Sequence, residues 1–250
     1  MSTFFDPAKP RVLAHRGLAI EAPENTLLAF AKAAAIGAAY LETDVHVSSD
    51  GVAVVSHDPS LARLAARKVD VAQLTMAELR RVDLGHGQGF ASLEETLDAF
   101  PDLRFNVDVK VERAVDPTVA AIRRTRAASR VLLTSFSDGR RLRLAALVPD
   151  AVTSAGRAGV IRSRLTAFRG ARARIIENLR GAAALQVPER VGSVRFVTAR
   201  FVEAVHRAGA EVHVWTVNDP ADMERLLDLG VDGLVTDRAD LAIPLIAARS

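Results

Sequence analysis

The feature that most constrains the fold is a regular alternation of short β-branched runs with longer amphipathic segments rich in Ala, Leu and Arg. The short runs have the length and composition of strands, and eight are predicted, at residues 12–15, 41–45, 104–109, 131–135, 151–154, 183–187, 211–216 and 233–236. The predicted helices lie at 26–36, 93–100, 117–128, 139–147, 160–168, 199–208, 220–229 and 241–248. Eight strand–helix units in 250 residues predict an α/β fold, a (β/α)₈ TIM barrel, as one domain over residues 1–250.

An open doubly wound sheet is the alternative arrangement of the same elements. It is disfavoured because no Gly-x-Gly-x-x-Gly follows an early strand, and the glycine-rich loop at 85–89 lacks the marks of a phosphate cradle. The second unit is elaborated: an extra strand is predicted at 52–56 and a short helix at 76–82. In a barrel such a loop lies at the carboxyl ends of the strands, where active sites are built.

Composition excludes several classes of protein. Hydrophobic residues make up 49% of the chain and charged residues 25%, which argues against intrinsic disorder. The absence of Cys excludes a disulfide scaffold, a Cys-ligated zinc site, an Fe–S cluster and a thiol nucleophile. The amino-terminal residues lack the pattern of a signal peptide, and no apolar run is long enough to span a bilayer. A soluble cytoplasmic protein is therefore expected, without stable membrane insertion.

The charge pattern gives little support to nucleic-acid binding. The 33 Lys and Arg and 30 Asp and Glu are interspersed, so the net charge is only +3, and the basic stretch at 162–174 is interpreted as a solvated helix face. One Trp and one Tyr leave few aromatic side chains for base stacking. No nucleic-acid partner is expected, and the oligomeric state stays open.

Polar side chains cluster where the first three predicted strands end and in the loop after the second. They are His15, Arg16, Glu42, Asp44, His57, Asp58, Asn106, Asp108 and Lys110. Because side chains two positions apart in a strand point the same way, neighbouring strands could direct Glu42, Asp44 and Asp108 to one point. Three carboxylates in a dry pocket need a cation, and oxygen ligands favour Mg²⁺ or Ca²⁺. Two His, one Arg and one Lys beside it could bind and protonate a phosphate ester.

Each of these short motifs also has a purely structural interpretation. A lone Glu-x-Asp is more often a capping pair, and His-Asp-Pro commonly begins a turn; only their joint placement at matching strand ends favours a site. His46 is interpreted as a loop residue, and His86, His206 and His213 lack acidic neighbours at ligand spacing. Ser135 is not in a Gly-x-Ser-x-Gly elbow, which argues against a serine hydrolase.

Eight motifs in order along nearly the whole chain resemble those of a known family. They are AHRG at 14–17, APENT at 22–26, YLETDV at 40–45, SDG at 49–51, VVSHD at 54–58, NVDVK at 106–110, VWTVN at 214–218 and GVDGLVTD at 230–237. This order is similar to that of the glycerophosphodiester phosphodiesterase family, a family of barrel phosphodiesterases. The resemblance implies hydrolysis of a small-molecule glycerophosphodiester to an alcohol and sn-glycerol 3-phosphate, with one divalent cation, Mg²⁺ or Ca²⁺.

The resemblance also implies a role for each matched residue. His15 and His57 would be the general acid/base pair, and Arg16 and Lys110 would hold the phosphoryl oxygens. Trp215 would wall the glycerol pocket. The expected cation ligands are Glu42, Asp44 and Asp108. Asn25, in the second motif, is interpreted as the cap of the first helix.

Two departures from the family pattern leave alternatives open. Asp108 stands where the family more often has Glu, so this carboxylate reaches one methylene less far, and residues 59–67 replace the usual Arg-Thr-Thr-rich stretch. A related barrel phosphodiesterase acting on lysophospholipids or inositol phospholipids would need an apolar rim, for which residues 61–66 are the candidate. A non-catalytic barrel that binds phosphorylated ligands is a third possibility, disfavoured by the presence of both histidines with Glu42 and Asp44.

Overall fold

The computed structural model describes residues 2–167 and 172–249. The strands are β1 (Arg11–His15), β2 (Tyr40–Val47), β3 (Ala53–Val55), β4 (Arg104–Val109), β5 (Val131–Thr134), β6 (Val152–Thr153), β7 (Ala184–Pro188), β8 (Arg190–Val191), β9 (Val194–Arg195), β10 (Glu211–Trp215) and β11 (Gly233–Thr236). The α-helices are α1 (Leu27–Ala35), α2 (Ala62–Ala65), α3 (Met76–Leu79), α4 (Leu93–Ala99), α5 (Val115–Arg124), α6 (Asp138–Leu147), α7 (Arg157–Ala167), α8 (Arg172–Leu179), α9 (Ala199–Arg207), α10 (Pro220–Asp228) and α11 (Ala239–Ala247).

Eight parallel strands form the barrel, in the order β6-β5-β4-β2-β1-β11-β10-β7. A parallel bridge between Ser154 and Ala184 joins the two ends of this order, so the sheet nearly closes on itself. Strand β3 pairs with β2 in antiparallel fashion outside the barrel path. The (β/α)₈ prediction is therefore confirmed, together with the extra strand in the second unit.

The strand register places the predicted site residues at one end of the barrel. His15 pairs with Glu42 between β1 and β2, and Asp44 pairs with Asp108 between β2 and β4. Since all eight strands are parallel, these residues lie at the carboxyl ends, the face on which barrel enzymes carry their active sites.

Short-range signals explain where several helices begin. Ser92 and Asp219 cap α4 and α10, and each side chain accepts a hydrogen bond from a backbone N–H of the first turn. Asn25, however, does not cap α1. Thr26 is the cap, with its hydroxyl accepting from the N–H of Ala29, so the interpretation of Asn25 as a helix cap is wrong.

Three parts of the fold differ from the sequence prediction. Helix α7 begins at Arg157 rather than at residue 160, and the predicted end at Phe168 lies outside the described residues. The basic stretch at 162–174 includes residues 168–171, which also lie outside the described residues. Its last residues belong to α8, a helix that the sequence analysis did not predict. A hairpin of β8 and β9 after β7 was not predicted either.

The elaborated loop after β2 has a small apolar cluster of its own. It consists of Val54, Leu61, Val71, Met76, Leu79, Val82 and Phe90. Leu61 is fully buried there, and residues 61–66 are not among those that line the barrel cavity, so this loop does not form the apolar rim considered from the sequence. Within residues 2–167 and 172–249, no helix has the length and hydropathy needed to cross a bilayer.

Candidate active site

A cavity of about 610 Å³ opens at the carboxyl ends of the barrel strands. All eight residues with a role implied by the family resemblance line it: His15, Arg16, Glu42, Asp44, His57, Asp108, Lys110 and Trp215. They come from β1, β2, β4, β10 and the segments that directly follow β1, β3 and β4. The structure thus brings together side chains as far apart in sequence as His15 and Trp215.

His15 ends β1 and is held in orientation by a carboxylate. Its Nδ1 donates a hydrogen bond of 2.6 Å to Oδ1 of Asp237, and its Nε2 lies 3.9 Å from Oε2 of Glu42. Burial lowers the pKa of His15, but the charge of Glu42 and the hydrogen bond to Asp237 outweigh it, so the pKa is raised above its ordinary value. Asp237 was recognised only as part of a motif, without a role.

His57 is held in a similar way. Its Nδ1 donates a 2.7 Å hydrogen bond to Oδ1 of Asp58. Burial raises the pKa of Asp58, but hydrogen bonds from His57 and from Arg63 outweigh this effect and lower it. Both histidines therefore use Nδ1 to bind a carboxylate, which favours the tautomer in which Nε2 is free for proton transfer.

A chain of ion pairs connects the loops that carry the two histidines. Nε of Arg63 lies 2.6 Å from Oδ2 of Asp58, and its Nη2 lies 2.6 Å from Oε1 of Glu24. The same Glu24 oxygen accepts a 3.0 Å hydrogen bond from Nη1 of Arg16. Arg63 belongs to the stretch at 59–67 that departs from the family pattern. The sequence motifs therefore did not predict this connection.

Three buried carboxylates lie beside the histidines. Nζ of Lys110 is 2.6 Å from Oδ1 of Asp44 and 2.6 Å from Oδ2 of Asp108. Burial, reinforced by the charge of Asp44, raises the pKa of Glu42 to about 8. Burial also raises the pKa of Asp108, whereas Lys110 and Arg16 offset the burial of Asp44 and lower its pKa. Burial therefore disfavours the charged forms of Glu42 and Asp108, whereas the basic neighbours of Asp44 favour its charged form.

The donor set fits a divalent cation, although the described residues do not form a ready-made cage. In the described parts of the chain, no three His, Asp or Glu side chains are grouped closely enough to hold a metal ion, and Lys110 occupies the space between Asp44 and Asp108. Yet Oδ1 of Asp108 and Oδ1 of Asn106 are buried without a hydrogen-bond partner among the described residues. Buried, unpaired oxygens beside a carboxyl with an elevated pKa are suited to a hard cation.

Asn25 supports this carboxylate cluster. Its Nδ2 donates to Oδ2 of Asp44 at 3.2 Å, and its Oδ1 accepts from the hydroxyl of Thr43 at 2.8 Å. The residue is buried and adopts a left-handed backbone conformation (φ 56°), which Asn tolerates better than most residues. The sequence missed this role because a Pro-Glu-Asn-Thr motif has the appearance of a helix start.

Three further histidines, His46, His206 and His213, differ from their sequence interpretations. His46 lies in β2, not in a loop, and its Nε2 donates to the backbone carbonyl of His57 at 3.2 Å. His206 bonds Asp232 at 2.6 Å, and His213 bonds Glu211 at 3.0 Å, so both have acidic partners. Neither is among the residues that line the cavity.

Trp215, at the end of β10, lines the same cavity. Its ring packs edge-to-face on Phe136, with 6.1 Å between the ring centroids. Nζ of Lys110 is 5.9 Å from the Phe136 ring centroid. Phe136, which follows β5, was not singled out in the sequence, and it stands where the charged and the apolar parts of the cavity meet.

Comparison with known proteins agrees with this geometry. Residues 15–241 match the model of the glycerophosphoryl diester phosphodiesterase family. The chain is 42% identical over 239 residues to Probable glycerophosphodiester phosphodiesterase 2 of Mycobacterium tuberculosis. The match covers 95% of this chain and 90% of that relative. The crystal structure of a glycerophosphodiester phosphodiesterase from Thermotoga maritima is 28% identical, with a TM-score of 0.72 over 94% of this chain and 97% of that one.

A further solved structure is similar in fold. An Oleispira antarctica phosphodiesterase, in complex with the product sn-glycerol-3-phosphate, is 24% identical, with a TM-score of 0.79 over 96% of this chain and 97% of that one. Fold and site together define a barrel enzyme that cleaves phosphoric diesters. The chain belongs to the glycerophosphoryl diester phosphodiesterase family.

Proposed function

We propose that this chain hydrolyses glycerophosphodiesters to an alcohol and sn-glycerol 3-phosphate, with His15 and His57 as the acid/base pair. The observation that carries this proposal is the matched orientation of the two histidines. Each binds a carboxylate through Nδ1, and both line the same cavity as Arg16 and Lys110. The family match and the fold shared with the sn-glycerol-3-phosphate complex support the substrate class.

Proton transfer is the part of the reaction assigned to the histidines. Over the whole reaction one water is consumed, its hydroxyl going to phosphorus and its remaining proton to the departing alcohol. A base takes a proton from the attacking group, and an acid gives one to the departing alkoxide. A neutral imidazole accepts the first proton and a protonated imidazole supplies the second. The carboxylates of Asp237 and Asp58 orient the imidazoles of their respective partners.

Charge on the phosphoryl group would be neutralised by the basic side chains of the polar cluster. Arg16 and Lys110 would hold the non-bridging oxygens, since both side chains line the cavity and donate only. Glu42, Asp44 and Asp108 would hold one divalent cation, Mg²⁺ or Ca²⁺. When bound, the cation supplies additional positive charge to the developing phosphorane-like transition state.

An enzyme-coupled assay for sn-glycerol 3-phosphate tests the proposal. The substrates are glycerophosphocholine, glycerophosphoethanolamine, glycerophosphoglycerol and glycerophosphoinositol, each with Mg²⁺, with Ca²⁺ and with EDTA. We expect release from at least one diester with a cation and loss of release with EDTA. Release unchanged by EDTA would overturn the cation assignment, and no release from any diester with either cation would overturn the substrate class.

A further inference from the structure

The segment that contains α7, α8 and the β8–β9 hairpin is strongly basic. Residues 157–195 include nine Arg and two Glu but no Lys, His or Asp, which gives this segment a net charge of +7. The whole chain carries only +3, so the remaining residues are acidic on balance. Positive charge is therefore concentrated in one part of the fold, which the composition of the chain as a whole does not reveal.

Neighbouring side chains neutralise little of this charge. Glu189 pairs with Arg190 at 3.3 Å, but it also pairs with Arg225 of α10 at 2.5 Å. Arg162 and Arg195 are exposed and form no ion pair among the described residues. Arg190 and Arg195 lie directly opposite each other in the hairpin, an arrangement in which like charges repel. An anionic partner would relieve this repulsion.

The same segment carries most of the exposed apolar side chains. Within the parts of the chain that the structure describes, eight large apolar side chains are exposed, and five of them lie in this segment: Ile161, Leu165, Ile176, Val191 and Val194. Leu165 is 65% exposed and Val194 is 66% exposed, and neither is among the residues that line the cavity. Exposed apolar side chains beside basic ones are typical of elements that lie on a membrane surface.

Helix α7 and the hairpin are held together, so their apolar side chains border one region. Nε of Arg164 donates a 2.6 Å hydrogen bond to the backbone carbonyl that directly follows β9. Ile161 and Val191 line the same cavity. Leu165 follows Ile161 by one helical turn, and Val194 pairs with Val191 on one face of the hairpin. These four side chains are called the apolar patch below.

We propose that this part of the fold binds reversibly to the anionic surface of a lipid bilayer. The apolar patch would contact the boundary between head groups and acyl chains, and the arginines would contact the lipid phosphates. Each Lys or Arg near an anionic leaflet increases partitioning about fivefold, because the surface potential attracts it. The arginines on the reverse face of the hairpin have long side chains that reach toward the head groups. This inference concerns where the protein is held and does not depend on the proposed function.

The chemistry of this surface favours a bilayer over two other partners. A second copy of the chain would bring the same positive charge to the contact and would be repelled. A nucleic acid would neutralise the arginines but leave the apolar patch in water, since its side chains are aliphatic and bases stack on aromatic ones. An anionic bilayer satisfies both the charged and the apolar parts.

The chain offers matched controls at the opposite end of the barrel. Arg126 follows α5 and precedes β5, and Ile36 ends α1 and precedes β2. Both therefore lie near the amino ends of the strands, whereas the cavity lies at the carboxyl ends. Both are exposed, and Arg126 forms no ion pair within the described parts of the chain. The same substitution at the two ends separates membrane contact from a general change in surface charge or hydrophobicity.

The first experiment measures co-sedimentation of the wild-type protein with large unilamellar vesicles. One preparation is phosphatidylcholine alone, and the other is an equal mixture of phosphatidylcholine and phosphatidylglycerol. We expect at least tenfold stronger partitioning onto the mixed vesicles at low salt, and a loss of at least fivefold at about 0.5 M NaCl because salt screens the attraction. No partitioning onto the mixed vesicles, or equal partitioning onto both preparations, would overturn the inference.

The second experiment repeats the measurement on mixed vesicles with charge-reversal variants. Arg162→Glu and Arg195→Glu should each lower the partition coefficient at least fivefold. Arg126→Glu changes the net charge equally and should stay within twofold of wild type. Equal losses in all three variants would overturn the inference, because the effect would then follow net charge alone. Circular dichroism spectra confirm that the compared variants are folded.

A third set of variants tests the apolar patch on the same vesicles. Leu165→Ser and Val194→Ser should each lower the partition coefficient at least threefold, since each removes an aliphatic side chain from the contact. Ile36→Ser should stay within twofold of wild type. Unchanged partitioning in both test variants would overturn the contact with the acyl boundary.

Two further outcomes separate this inference from its alternatives. Tight binding to a DNA duplex without binding to mixed vesicles would overturn it in favour of a nucleic-acid surface. Its failure is also distinct from failure of the proposed function, because partitioning is measured without substrate. A protein that binds mixed vesicles but cleaves no glycerophosphodiester would contradict the proposed function and support the membrane contact.

Discussion

Asp237 and His15 are joined by a 2.6 Å hydrogen bond between Oδ1 and Nδ1, across the seam where β11 neighbours β1. The other oxygen of Asp237 accepts a 2.7 Å bond from Nδ2 of Asn218. The carboxylate is thus fixed from two sides, and its hydrogen bond to His15 lowers its pKa and keeps it ionised. Asp237 orients the imidazole without needing to touch the substrate.

Replacement of Asp237 by Asn should therefore impair the chemical step. The amide can present its NH₂ to Nδ1 and stabilise the opposite tautomer of His15, so we expect kcat to fall by about 10²-fold while KM changes little. Steady-state kinetics with a cleaved glycerophosphodiester measure the effect. Asp240→Asn, three residues further along the chain, is the control. Equal kcat values in Asp237→Asn and wild type would contradict the role of Asp237.

Arg63 should act as a positioning residue through Asp58 and Glu24. In Arg63→Gln the two carboxylates lose the guanidinium that they share, and we expect kcat to fall by roughly tenfold. The free energy of unfolding should fall by less than about 1 kcal/mol, because the Arg63 side chain is 47% exposed. Urea denaturation and kinetics together separate the two effects. Arg67→Gln, in the same loop, is the matched control, and a similar loss of kcat in that variant would refute the positioning role.

Removal of one carboxylate should weaken cation binding, so that activation requires a higher cation concentration. In Glu42→Ala the cation loses one of three proposed ligands, so we expect half-maximal activation to require at least tenfold more Mg²⁺ or Ca²⁺. Titration of EDTA-treated protein with each metal measures this. Glu203→Ala, on the exposed surface of α9, should leave the activation curve unchanged. An unaltered curve in Glu42→Ala would exclude Glu42 as a ligand.

Asp232 links stability to pH at a point remote from the cavity. Burial raises the pKa of this carboxyl, but hydrogen bonds from Lys9, the backbone N–H of Val212 and His206 outweigh burial and lower it. A folded-state pKa below the unfolded value of about 3.9 stabilises the fold above that value, and the stabilisation is lost as pH falls through the folded pKa.

The variant Asp232→Asn should accordingly be less stable than wild type near neutral pH and nearly as stable as wild type in acid. Compared with wild type, its free energy of unfolding should be reduced near neutral pH, with a difference that shrinks below about pH 4. Urea denaturation across this range, with Asp102→Asn as an exposed control, provides the comparison. A difference independent of pH would show that the ionisation of Asp232 contributes nothing.

The fold was predictable from sequence because its signals are local and repeated. The alternation of strands and helices specifies a barrel, and a parallel barrel necessarily collects Glu42 and Asp108 at one end. The β8–β9 hairpin was missed because strands of two residues are too short to show a periodic pattern. Helix α8 was missed because its basic residues resemble a continuation of the preceding polar surface.

The site was predictable only as far as short motifs reach. His15 and His57 were identified from the residues next to them, but the partner of His15, Asp237, lies 222 residues away. The contact between Arg63 and Glu24 spans 39 residues, and Arg63 lies in the stretch at 59–67 that departs from the family pattern. The apolar side chains of the cavity lining come from separate segments, so no single sequence window contains them.

The most direct test of the account measures turnover of a glycerophosphodiester by His15→Ala and His57→Ala, with His206→Ala as the control. His206 also binds a carboxylate but lies outside the cavity lining, so its variant should retain kcat within about twofold. The account predicts that each of the other two variants remains folded and loses at least about 10²-fold in kcat. Full activity in either folded variant would contradict the proposed acid/base pair.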